Sequence, residues 1–98
     1  MQTVELTLRN ASGLHARPAA LFIQAAAKFA SKITVENLDR ATQPVDAKSI
    51  LMVLTIGVGR GQRVRVTADG PDEAEAIATL ESAIRAGLGE PVGDDASE

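Results

Sequence analysis

Apolar and polar residues alternate with a period of two along much of the chain, which is typical of strands with one buried face. This alternation predicts strands over 3–8, 32–38 and 62–68. A short further strand is predicted over 40–45, at an edge or a bulge of the sheet, because this segment contains Pro44. The strands are expected to bury one face and to leave the other in solvent.

Two segments between these strands carry helix signals. Residues 18–30 are rich in alanine, and Pro18 fits only in the first turn of a helix, so this helix should begin close to residues 15–17. Residues 49–56 are mostly apolar and could form either a buried strand or a short helix. Ser49 is a good N-cap and Gly57 a good stop, and together they favour the helix.

A third helix is predicted to begin at Pro71, with Gly70 as its cap, and to end before Gly87. The resulting order is strand, helix, strand, strand, helix, strand, helix. It predicts a two-layer α+β fold in which three helices cover one face of a four-stranded sheet. We expect a single domain over 1–88 and a flexible polar tail over 89–98.

Composition and charge narrow the classes of function. The 98 residues carry a net charge of −3, no cysteine and only two aromatic residues. We therefore expect no electrostatic binding of nucleic acid and no thiolate chemistry. The sequence lacks the ligand spacing of a metal site, so we expect no metal or cofactor. It also lacks a signal-peptide pattern and an apolar run long enough to cross a membrane, so we expect a cytoplasmic chain.

The strongest candidate for chemistry is His15, the only histidine in the chain. It follows a Ser12-Gly13 turn and directly precedes the predicted helix, whose first N–H groups and dipole form an anion site. Arg17 adds a cation whose planar donors suit phosphate oxygens. A neutral imidazole can act as a nucleophile, so this segment favours reversible phosphoryl transfer. The alternative is that His15 helps to cap the helix while Arg17 is merely solvated.

The segment Gly13-Leu14-His15-Ala16-Arg17-Pro18-Ala19-Ala20 resembles HPr, the histidine-containing phosphocarrier family of the bacterial phosphoenolpyruvate-dependent phosphotransferase system. Ala47-Lys48-Ser49-Ile50-Leu51 resembles the segment around the regulatory serine of that family. The resemblance covers about residues 1–88. It implies an open-faced β-sandwich of order βαββαβα, with a four-stranded antiparallel sheet.

The resemblance also implies a function. His15 would accept a phosphoryl group on Nδ1 from phospho-enzyme I and pass it to IIA proteins for sugar uptake and its regulation. Arg17 would neutralise the phosphoryl oxygens, and Ser12 and Ala16 would support them. The chain would be a monomeric carrier rather than an enzyme.

Regulation and docking are implied by the second motif. Ser49 would be phosphorylated by HPr kinase/phosphorylase, and the product could bind a transcription regulator; this is compatible with a role as N-cap. A run that is apolar on every side of a short helix must expose part of itself, which suits a docking surface. The implied docking residues are Ile50, Leu51 and Leu54, with Lys28 and Lys48 as a basic rim.

Three alternatives stay open. The first is a carrier of the nitrogen-related branch of the phosphotransferase system, and the second is a regulator that acts through phosphorylated Ser49. The third is a small hydrolase, although two aromatic residues leave little for a substrate pocket. The chain departs from the usual family pattern at Met52, often glycine, and at Gln24, sometimes lysine, which bears on partner preference.

Overall fold

Strands and helices follow one another in the order βαββαβα in a computed structural model that describes residues 1–92. The elements are β1 (Gln2–Thr7), α1 (Ala16–Ala27), β2 (Lys32–Asn37), β3 (Val45–Asp46), α2 (Ile50–Thr55), β4 (Arg63–Asp69) and α3 (Glu73–Arg85). This order confirms the predicted fold of four strands and three helices.

The four strands form one antiparallel sheet in the order β1-β4-β2-β3. Val66 on the central strand β4 lies opposite Val4 on β1 and Val35 on β2. The next row faces solvent, where Arg65 pairs with the carboxylates of Glu5 at 2.9 Å and Glu36 at 3.6 Å. The two rows show why the strands alternate in sequence: one face packs on the core and the other is charged.

The hydrophobic core lies between this sheet and the helices. α3 packs on β1 and β4 and also contacts α1, which in turn contacts α2. Phe22 of α1 and Leu80 of α3 are completely buried, as is Val53 of α2. Each helix therefore contributes at least one fully buried side chain to a single core.

The third strand differs from its prediction over 40–45, because β3 comprises only Val45–Asp46. The preceding residues turn around Asn37, whose Oδ1 accepts hydrogen bonds from the backbone N–H groups of Asp39 and Arg40. Thr42 closes the turn: its N–H donates to the Asn37 carbonyl, and its Oγ1 accepts from the Asn37 N–H. A buried asparagine thus satisfies backbone groups that a longer strand would have paired.

The start of α3 also differs from its prediction, because Asp72 rather than Gly70 is the N-cap. The Asp72 carboxylate does not cap its own helix. It accepts hydrogen bonds from the N–H groups of Ala30 and Ser31 and from the Ser31 hydroxyl. The helix itself begins at Glu73, two residues later than Pro71, and Asp72 links its start to the chain between α1 and β2.

Candidate functional site

His15 lies where the turn after β1 meets α1. It is the N-cap residue of α1, with extended backbone angles (φ −131°, ψ 159°), and its side chain makes no capping hydrogen bond. The residue is exposed. The imidazole is therefore not engaged as a helix cap and belongs to an exposed residue.

The turn that carries His15 is held rigidly against the loop before β4. Gly13 is buried with a left-handed φ of +60°, and a Cβ placed on it would lie 2.3 Å from the carbonyl oxygen of Val58. The next residue, Leu14, donates its N–H to that same oxygen at 2.9 Å. The buried Asn10 amide donates to the Gly13 carbonyl at 2.9 Å. Only glycine permits this close approach, so the backbone before His15 is fixed on both sides.

The first turn of α1 suits an anion. It contains no acidic residue, and Pro18 lacks an N–H, so the donors at its tip belong to Ala16 and Arg17. Ala16 adopts a left-handed φ of +54°, a conformation that costs an alanine about 1–2 kcal/mol. Such strain persists where the surrounding structure imposes it, and it concentrates at functional sites.

Arg17 is exposed in this first turn. Its Nε lies 3.7 Å from the position that a Cβ would occupy on Gly89. The guanidinium therefore lies beside the turn after α3, while the Arg17 backbone is separated from His15 by one residue.

Ser12 is hydrogen-bonded to Glu90, a residue that the sequence predicts to lie in the tail. The Ser12 N–H donates to Glu90 Oε1 at 2.9 Å and its hydroxyl donates to Oε2 at 2.8 Å. Asn10 Nδ2 donates to Oε1 at 3.0 Å. These hydrogen bonds hold the pKa of Glu90 below its ordinary value, and the bond from the Ser12 N–H contributes most to the lowering.

Residues 89–92 therefore contact the domain, and Val92 additionally forms an isolated bridge with Asn10. The boundary after residue 88 stays a prediction, and residues 93–98 lie outside the described residues. A sequence signal for these contacts did exist, since Gly87 and Gly89 allow a tight turn directly before Glu90. Both adopt left-handed angles, of +95° and +84°.

Comparison with known proteins identifies the family. Residues 2–86 match the family model PTS-HPr, described as the PTS HPr component phosphorylation site. The chain belongs to the HPr family. The matched residues include the exposed His15.

Individual relatives agree with this assignment. The multiphosphoryl transfer protein of Haemophilus influenzae is 48% identical over 86 residues, which are 88% of this chain and 17% of that protein. HPr-C-His from Thermoanaerobacter tengcongensis has a TM-score of 0.87 at 44% identity, covering 94% of this chain and all of that one. An HPr dimer from the same organism has a TM-score of 0.71 at 46% identity, covering 92% and 100%. The chain spans less than a quarter of the length of the curated relatives it matches.

The second HPr motif forms the start of α2. Ser49 is its N-cap, and the Ser49 hydroxyl accepts a hydrogen bond from the N–H of Met52 at 3.3 Å. Val53 is buried, whereas Leu51 is 71% exposed. The predicted docking residues Ile50 and Leu54 are also exposed, as is Met52. Beside α1, α2 thus presents an apolar surface, here called the α2 patch: Ile50, Leu51, Met52 and Leu54.

The two lysines of the predicted basic rim lie at the far end of α1 from His15. Lys28 is the C-cap of α1, and Lys48 donates from Nζ to the carbonyl of Phe29 at 2.7 Å. The helix between them and His15 has 12 residues, a length of about 18 Å. The structure thus places Ser12, Ala16 and Arg17 with His15, while Lys28 and Lys48 lie at the other end of α1, with Lys48 next to Ser49.

Among residues 1–92 there is no group of three or more histidine, cysteine, aspartate or glutamate side chains that could hold a metal ion. None of the helices described there is long and apolar enough to cross a membrane.

Proposed function

We propose that this chain carries a phosphoryl group on His15, which it accepts from phospho-enzyme I and passes to IIA proteins. The observation that carries the proposal is an exposed imidazole at the N-terminus of α1, not used as a cap, in a chain of the HPr family. Nothing in this cycle consumes a small molecule at the site, so the chain acts as a carrier rather than as an enzyme.

Each transfer forms one bond to phosphorus and breaks another. The lone pair of neutral His15 Nδ1 forms a bond to phosphorus, while the bond from phosphorus to the donor's leaving atom breaks and that atom keeps the electron pair. On transfer to an acceptor the same P–N bond breaks, and its electron pair returns to the imidazole. The reaction is therefore reversible and leaves the carrier unchanged.

Electrostatics explain why these neighbours suit the step. The transferred group carries negative charge on its peripheral oxygens, and the N–H groups of Ala16 and Arg17, the helix dipole and the Arg17 guanidinium all favour that charge. Because His15 and Arg17 are exposed, their interactions are screened by water until a partner covers them. Fast transfer is therefore expected only inside a complex with a partner. On the free carrier, the phosphoryl group is expected to stay on His15.

The α2 patch is proposed as the docking surface for both partners. Four large apolar side chains on one short helix are exposed next to α1, which is the kind of surface that a partner covers. Lys28 and Lys48 would steer acidic partners toward this side of the molecule, although the net charge is −3. The exposed Met52 enlarges the apolar area, and Gln24 adds no charge to it.

Phosphorylation of Ser49 by HPr kinase/phosphorylase is a second candidate function. Its hydroxyl oxygen lies at the N-terminus of α2, directly beside the α2 patch. A phosphate there would add close to two negative charges, which would stabilise the helix start and repel an acidic partner. A transcription regulator that binds the modified form is part of this candidate.

One experiment tests the carrier function. The protein is incubated with phosphoenolpyruvate, Mg²⁺ and enzyme I, and the product is followed by intact mass and ³¹P NMR beside His15→Ala. We expect one acid-labile phosphoryl group on the wild type and none on the variant. Failure with the cognate enzyme I, with the protein folded, would overturn the proposal. The phosphorylated protein would then be mixed with IIA proteins of the sugar and nitrogen branches, and the one that accepts the group identifies the branch served. We propose that the carrier is cytoplasmic and monomeric.

A further inference from the structure

The structure places a carboxylate against the turn that carries His15. Glu90 accepts three hydrogen bonds there, two from Ser12 and one from Asn10, at 2.8–3.0 Å. Asn10 is completely buried and also donates to the carbonyl of Gly13. Glu90 is thus bound to the same short network that fixes the backbone before His15.

Backbone packing around Gly87 and Gly89 holds Glu90 in this position. The N–H of Glu90 donates to the carbonyl of Gly87 at 2.9 Å, and a Cβ on Gly87 would lie 2.2 Å from the Glu90 carbonyl oxygen. A Cβ on Gly89 would lie 2.9 Å from Leu21 of α1. Two glycines and a hydrogen-bonded turn therefore direct Glu90 toward Ser12.

Glu90 binds a residue that lies close to His15 in the chain. Ser12 precedes His15 by three residues, so their Cα atoms are at most about 10 Å apart. Arg17, the cation of the proposed site, lies beside Gly89, next to Glu90 in the chain.

We infer that Glu90 is a positioning residue whose negative charge opposes the phosphorylated state of His15 and so keeps the phosphoryl group transferable. The inference rests on the proposed function. Phosphorylation of His15 adds close to two negative charges to the turn that the Glu90 carboxylate binds. Both Ser12 donors are already bound to Glu90, so they are not available to the phosphoryl oxygens unless that contact opens.

The test measures the phosphorylation equilibrium rather than a rate. Wild type and Glu90→Gln are equilibrated with enzyme I at fixed ratios of phosphoenolpyruvate to pyruvate, and the phosphorylated fraction is read by intact mass. Glutamine keeps the shape and can still accept from the Ser12 N–H, but it has no charge. We expect the equilibrium constant to shift about twofold or more toward the phosphorylated form.

Controls separate charge from structure. Glu75→Gln removes an equal charge from the exposed, N-terminal part of α3 and should leave the equilibrium unchanged. Glu90→Asp keeps the charge while shortening the side chain, and should stay close to wild type. In 1 M salt, where the screening length is about 3 Å, the difference between Glu90→Gln and wild type should largely disappear.

Each other outcome overturns the inference. An equilibrium for Glu90→Gln equal to that of wild type, or shifted toward the unphosphorylated form, excludes opposition by charge. A shift that persists in 1 M salt or appears equally in Glu90→Asp assigns the effect to altered contacts. If no variant and no wild-type protein is phosphorylated, the proposed function has failed and the inference falls with it. That result differs from equal phosphorylation of all variants.

Discussion

Replacing Gly13 by alanine tests whether the turn before His15 is fixed by close backbone packing. A Cβ on Gly13 would meet the Val58 oxygen at 2.3 Å and the Cα and carbonyl carbon of Gly59 at 2.8 Å. All three are backbone atoms, so no side-chain rotation can relieve the contact. The φ of Gly13, +60°, adds the strain of a left-handed conformation.

The cost follows from three contributions. The left-handed conformation costs an L-residue about 1–2 kcal/mol. Separating the turn from the Val58 carbonyl breaks the hydrogen bond from Leu14 and leaves buried groups unpaired, which costs about 1–3 kcal/mol. The smaller conformational entropy of unfolded alanine offsets about 0.4–1 kcal/mol. Gly13→Ala should therefore lower the free energy of unfolding by about 3 kcal/mol, a large part of the 5–15 kcal/mol typical of a domain.

The chain contains its own matched control. Gly61 also has a left-handed φ, +86°, but a Cβ there would meet no atom within 4 Å. Gly61→Ala should therefore cost only about 1 kcal/mol, the conformational strain less the entropy gain. Because the chain has neither tryptophan nor tyrosine, urea unfolding should be followed by far-ultraviolet circular dichroism. A cost for Gly13→Ala within about 0.5 kcal/mol of that for Gly61→Ala would refute the close packing described here.

Three further predictions concern pH and α2. The hydrogen bond from Ser31 holds the pKa of Asp72 below its ordinary 3.8, and the N-terminal ammonium holds that of Glu73 below 4.5. Stability should therefore be constant between about pH 5 and 7 and fall as acid protonates these groups in the folded state; a midpoint in urea that rises between pH 5 and 3 would contradict this. Ser49→Ala should lower the unfolding free energy by about 1 kcal/mol through loss of the N-cap, and Ser49→Asp should restore most of it; equal urea midpoints for all three proteins would exclude the cap. Leu51→Ala should change stability by less than about 0.5 kcal/mol yet raise the Kd for enzyme I more than about fivefold by calorimetry, and unchanged binding would remove Leu51 from the docking surface.

Local sequence signals predicted the starts of α1 and α2 well because these starts are determined locally, whereas α1 ends at Ala27, three residues before its predicted end. Pro18 must lie in the first turn of α1, so the helix has to begin within a few residues of it, and α1 begins at Ala16. The apolar run after Ser49 was ambiguous between strand and helix. The hydrogen bond from Met52 to Ser49 shows that the cap, rather than the hydrophobic pattern, distinguishes the two.

Elements whose ends depend on distant residues were predicted less well. β3 is short because Asn37 satisfies the backbone groups of the following turn, and nothing within 40–45 reveals that partner. α3 begins at Glu73, and its N-cap Asp72 bonds to residues 30–31, some 40 positions earlier in the chain. Gly70 and Pro71 belong to the turn before the helix, where the Glu73 N–H donates to the Gly70 carbonyl.

The candidate site shows the same division between chemistry and position. The nucleophile, the cation and the helix N-terminus lie within a few residues of one another, so His15 and Arg17 could be singled out from sequence alone. Their geometry depends on two distant segments: the Val58 carbonyl, which fixes Leu14, and Glu90, which binds Ser12. A backbone carbonyl has no sequence signature. Gly87 and Gly89 indicate a turn before Glu90, but they do not indicate which residue the glutamate binds. If Glu90 acts as inferred, the free energy at which this carrier holds its phosphoryl group is set partly outside the motif. Two chains with identical residues around His15 could then differ in how readily they pass the group on.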